Sequence, residues 1–129
     1  MRIFLAAVML TVAAAAQAAP LTVHTGETWL FTLKDGQPTS AHQAKPTAKP
    51  AQGEVMVSVR ALFGTSMIAT NNSRGGYTFS AELLQSGKAS AARTCTLPAG
   101  GSPILEQWPQ KAEAVRISNF HATGPGGRC

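Results

Sequence analysis

Val55, Val57, Val59 and Ala61 fall at every second position of the run Glu54 to Phe63, with Met56, Ser58, Arg60 and Leu62 between them. A period of two sends successive side chains to opposite faces, so this run is a strand with one apolar face and not the stripe of a helix. The same period recurs along the chain. Trp29, Phe31 and Leu33 alternate with Thr28, Leu30 and Thr32, and Tyr77, Phe79, Ala81 and Leu83 alternate with Thr78, Ser80 and Glu82. Ala114 to Ala122 carries Val115 and Ile117 on one face. Phe120 falls on the other parity, which predicts a bulge or a strand end near Asn119. Weaker strands are expected over 38–44, 65–70 and 91–97, the last around Cys95, whereas 103–109 reads as a loop carrying Trp108.

Turn chemistry divides these runs. Asp35-Gly36 is the pair favoured in a type I′ hairpin turn, and Asn71 to Gly76 is rich in residues that tolerate positive φ. Pro46 and Pro50 exclude helix and ladder pairing from 44–53, a flexible basic loop of Pro, Ala and Lys. No amphipathic helix and no internal repeat is present. Six or seven short strands between turns predict an all-β fold, an antiparallel β-sandwich of Ig-like general architecture, with a small β-barrel as the alternative.

The first eighteen residues follow a different rule. Met1-Arg2 is positive, Ile3 to Ala16 is apolar except for Thr11, and Ala16-Gln17-Ala18 has the small-residue pattern of a cleavage site. The run is too short for a spanning helix, which needs about 20 apolar residues. It reads as a cleaved signal peptide of the bacterial type, directing the chain to the periplasm or the medium. Removal of the first 18 of 129 residues leaves 111, enough for one domain over 19–129 with its own core and no transmembrane segment.

Export changes the reading of Cys95 and Cys129, the only cysteines. Their spacing has no C-x-x-C character, and in an oxidising compartment two cysteines favour one disulfide. Such a bridge would fasten the Gly-rich tail 124–127.

Eleven basic residues stand against six acidic ones, and the basic residues are scattered without a run of five or six. A nucleic-acid module would group its charge and interleave aromatic stacking residues; here the aromatics lie within the alternating apolar runs. Nucleic acid is therefore not an expected partner.

Candidate chemistry is sparse. The only aspartate, Asp35, is accounted for by its turn, and there is no G-x-S-x-G elbow for a Ser-His-Asp arrangement. Glu27, Glu54 and Glu113 sit at or near strand starts, and Glu82 has outward parity and would face Arg60 or Arg93. His24, His42 and His121 with Met56 and Met67 form a conceivable soft-ligand set for copper, but without metal-ligand spacing. Asn71-Asn72-Ser73 matches N-x-S, which in a bacterial chain marks a polar hairpin tip. No catalytic residue, metal or cofactor is assigned.

These observations lead to an exported, monomeric, non-enzymatic binding module whose partner is a protein or a cell-envelope polymer. The alternatives are a periplasmic enzyme or enzyme inhibitor, or a copper-handling protein. Loops on a rigid scaffold carry such functions, so the contact surface is expected in the 38–53 segment, the 71–76 hairpin or the Trp108 loop, with Asn71, Asn72, Arg74 and Trp108 as the candidate interaction residues, although the large apolar area of Trp108 favours the sandwich core.

Overall fold

The computed structural model describes residues 18–123; residues 1–17 of the expected signal peptide, and the tail 124–129 with Cys129, lie outside them. Nine strands form within this range: β1 (Leu21–His24), β2 (Thr28–Lys34), β3 (Gln37–Gln43), β4 (Val55–Arg60), β5 (Thr65–Asn71), β6 (Gly76–Gln85), β7 (Lys88–Ala92), β8 (Pro103–Trp108) and β9 (Ala114–Thr123). All pairings are antiparallel. One sheet has the order β1-β9-β6-β7 and the other β3-β2-β4-β5-β8, and neither closes into a barrel. No helix among the described residues is long and apolar enough to cross a membrane.

The alternation decides what is buried. Val55, Val57 and Val59 of β4, with Phe31, Met67 and Ala69 beside them, meet Val115 and Ile117 of β9 and Phe79, Ala81 and Leu83 of β6 in one core. The odd parity of Phe120 is resolved by a bulge. Thr78 pairs with His121 but Ser80 with Ser118, so β9 carries one residue more than β6 across this interval. Asn119 takes the left-handed conformation there (φ 53°). Phe120 thereby turns inward, stacked on Phe79 at 5.3 Å and edge-on to Phe31 at 5.8 Å. Asp35 and Gly36 both have positive φ, as a type I′ turn requires, and Phe120 N donates to Gly36 O at 2.7 Å.

Three elements differ from the sequence expectation. β1 was not anticipated, because four residues are too few to display a period. β7 begins at Lys88 and ends at Ala92, so Cys95 lies in a strap that leaves one sheet and passes along the edge of the other. The segment 103–108 is a strand rather than a loop. Its inward positions are Ile104, Glu106 and Trp108, and a glutamate at an inward position conceals the apolar period.

Candidate functional site

β4 and β5 are joined at one end of the sandwich by Ala61 to Gly64. Phe63 (φ 50°) and Gly64 (φ 95°) are both left-handed, which is rare for a bulky aromatic residue and costs about 1–2 kcal/mol. The turn is nevertheless fixed from several sides. Gly64 lies against the backbone of Trp108 and Pro109, where a Cβ atom would sit 2.6 Å from the Pro109 carbonyl oxygen. Ser66 Oγ donates to Leu62 O at 2.8 Å. Thr65 Oγ1 donates to Gln110 O at 2.7 Å and accepts from Ala112 N at 2.8 Å.

This clamped turn presents apolar side chains to solvent. Phe63 is 89% exposed and Leu62 56%. On the outer face of the same sheet, Ile68 (43%) and its register partner Leu105 (56%) complete the large hydrophobic residues exposed among the described residues. The turn thus holds two apolar side chains in water on a backbone fixed by these contacts.

A second feature lies at the β8 edge. Trp108 Nε1 donates to Arg93 O at 2.9 Å, Thr94 Oγ1 donates to Phe79 O at 2.8 Å, and the Glu106 carboxylate accepts the backbone N–H of Cys95. Three successive strap residues are thus tied down. Glu106 is only 5% exposed. Burial raises its pKa above the usual carboxylate range, and the Cys95 N–H acts in the opposite direction. A cleft of about 410 Å³ opens beside it, bounded by Leu83, Arg93, Cys95, Trp108 and Gln110. No cysteine among the described residues is free.

The four residues singled out from the sequence do not form one surface. Asn72 N donates to Glu54 O at 2.9 Å and its Nδ2 to Pro50 O at 2.9 Å, which joins the 71–76 hairpin to the end of the 44–53 loop. Asn71 is buried and organises the turn from inside, with Nδ2 donating to Gly75 O at 2.8 Å and Oδ1 accepting from Ser73 Oγ at 2.6 Å. Arg74 is exposed beside them. Trp108 is buried in the core and pairs with Thr65, at the far end of β5 from Asn71. Six residues of strand, about 20 Å, separate the two positions. The exposed Phe63 turn was missed because Leu62 reads as one more outward residue of the β4 alternation; only the two-residue sequence Phe63-Gly64 hints that the strand has ended.

The other candidate groups are dispersed. Glu82 faces neither Arg60 nor Arg93 but its cross-strand neighbour Arg116, at 2.9 Å. Glu27 accepts from His24 N at 2.8 Å, from Trp29 Nε1 at 3.2 Å and from Gln43 Nε2, and the His24 N–H is the largest cause holding its pKa below the usual value. Met67 points into the core while Met56 lies on the opposite face of the same sheet. No three His, Cys, Asp or Glu side chains among the described residues are placed to share a metal ion.

No protein-family model, no curated protein and no solved structure matches this chain.

Proposed function

We propose that this chain is an exported binding module of the cell envelope that makes its principal contact through the Leu62–Phe63 turn. The observation that carries the reading is the 89% exposure of Phe63 on a turn whose backbone is clamped by Gly64, Thr65 and Ser66. Such an anchor loses little freedom on binding, because its conformation is already set. The reading is tested by oxidative footprinting. Phe63 should be modified rapidly in the purified protein and protected in the intact envelope fraction; equal modification in both states would refute it.

Export rests on the Ala16-Gln17-Ala18 pattern and is compatible with the boundary of the fold: Ala19 N donates to Pro38 O at 3.1 Å, so cleavage after Ala18 would leave every described strand intact. In the exported form we further propose a Cys95–Cys129 disulfide and an Ig-like sandwich stapled by it. Tyr77 pairs with Ala122 on one side and bridges Leu97 on the other. The chain after Thr123 therefore starts about 10 Å from the strap, and six further residues can span up to about 20 Å. The mass of protein recovered from the periplasm tests both points. It should begin at Ala19 and lack two hydrogens; a mass beginning at Met1, or free thiols, would overturn them.

A further inference from the structure

We infer that the surface met by the Leu62–Phe63 turn is an anionic lipid membrane, an inference that rests on the binding role just proposed for that turn. The two apolar side chains are exposed at one end of the sandwich. At the same end of the sandwich the topology places four cations. Arg60 ends β4, immediately before the turn. Lys111 lies between Gln110 and Ala112, both bonded to Thr65. Lys45 follows Ala44, whose N–H donates to Thr28 O at 2.8 Å at the start of β2. Lys88 begins β7 opposite Gln85, next to Leu84, whose carbonyl accepts the Glu113 N–H at 2.9 Å.

None of the four takes part in a salt bridge among the described residues, where Glu82 pairs with Arg116 and Glu27 lies 3.3 Å from the His24 ring. The Arg60 guanidinium donates instead to Val59 O at 2.9 Å and to Thr28 Oγ1 at 3.4 Å. The carboxylates at this end are Glu27 and Glu113. Glu27 already accepts from His24, Trp29 and Gln43, and Glu113 Oε1 accepts from Ser86 N at 3.4 Å.

Two exposed apolar side chains at an end of the sandwich that carries four cations outside any salt bridge among the described residues match a surface that is negative outside and apolar beneath. Phe63 and Leu62 would enter the acyl boundary while the cations meet lipid phosphates.

The test uses the full mature protein and vesicles of phosphatidylglycerol mixed with phosphatidylcholine, against vesicles of phosphatidylcholine alone. Asn accepts the left-handed conformation of position 63, so Phe63→Asn removes the anchor and leaves the turn folded, which circular dichroism checks. The wild type should co-sediment with the anionic vesicles, much less with the neutral ones, and less as salt rises. Phe63→Asn should reduce the bound fraction about tenfold or more, and Lys111→Gln by a smaller factor. Failure to bind anionic vesicles, or equal binding by Phe63→Asn, would overturn the lipid assignment. If Phe63 is nevertheless protected in the envelope fraction, the partner is a protein and the binding role survives; if protection is also absent, both proposals fall.

Discussion

Gly64 rests on the carbonyl of Pro109 so closely that a Cβ atom at position 64 would come within 2.6 Å of that oxygen. The opposing atoms are backbone and cannot swing aside, and the φ of 95° is one that L side chains rarely adopt. Gly64→Ala should therefore lower stability by at least about 2 kcal/mol in urea unfolding. An Ala variant as stable as the wild type would show that the turn is not clamped to β8.

Glu106 and Glu27 should respond to pH in opposite ways. Burial raises the Glu106 pKa, so between its unfolded and folded values the native state holds more protons than the unfolded state, and stability falls as pH rises. Glu106→Gln keeps an acceptor for the Cys95 N–H without the buried charge. It should unfold at a higher denaturant concentration than the wild type at pH 7 and at the same concentration below pH about 4. Glu106→Ala, which strands that N–H, should be destabilised at both pH values by about 1–3 kcal/mol.

For Glu27 the hydrogen bond from His24 N holds the pKa down. Its contribution is present above the unfolded pKa and disappears as pH falls through the folded one. Glu27→Gln should therefore be less stable than the wild type at pH 7 and converge with it in acid. Parallel denaturation curves at the two pH values would contradict the assignment.

Phe120 joins aromatic residues from both sheets, with Phe79, Tyr77 and Phe31 all within 6.3 Å of its ring. Phe120→Ala should cost about 3–5 kcal/mol. Asn119→Ala, which leaves the side chains packed but disfavours the bulge conformation, should cost about 1 kcal/mol. Thermal unfolding of the two variants separates packing from backbone.

Much of this architecture is legible in the sequence. The buried faces of β4 and β6 follow from alternation alone, and the Asn119 bulge follows from the parity of Phe120 against Val115 and Ile117. β8 is not legible, because its inward Glu106 is made tolerable only by the N–H of Cys95, a partner eleven positions away that enters from the opposite sheet. The residues of the candidate surface separate by environment. Asn71 has the composition of an exposed hairpin tip, yet its amide is buried holding Gly75, whereas Trp108 lies in the core, the placement its large apolar area favours. The exposure of Phe63 is not legible, because it depends on where a strand stops, and that is set here by the fit of Gly64 against Trp108 and Pro109.

The most direct test of the proposed role places a photo-crosslinking amino acid at position 63 in cells that export the protein, with position 90, an exposed site on β7, as the control. The account predicts crosslinks to envelope material from position 63 and none above background from position 90. Equal yields at the two positions, or no adduct at position 63, would contradict it.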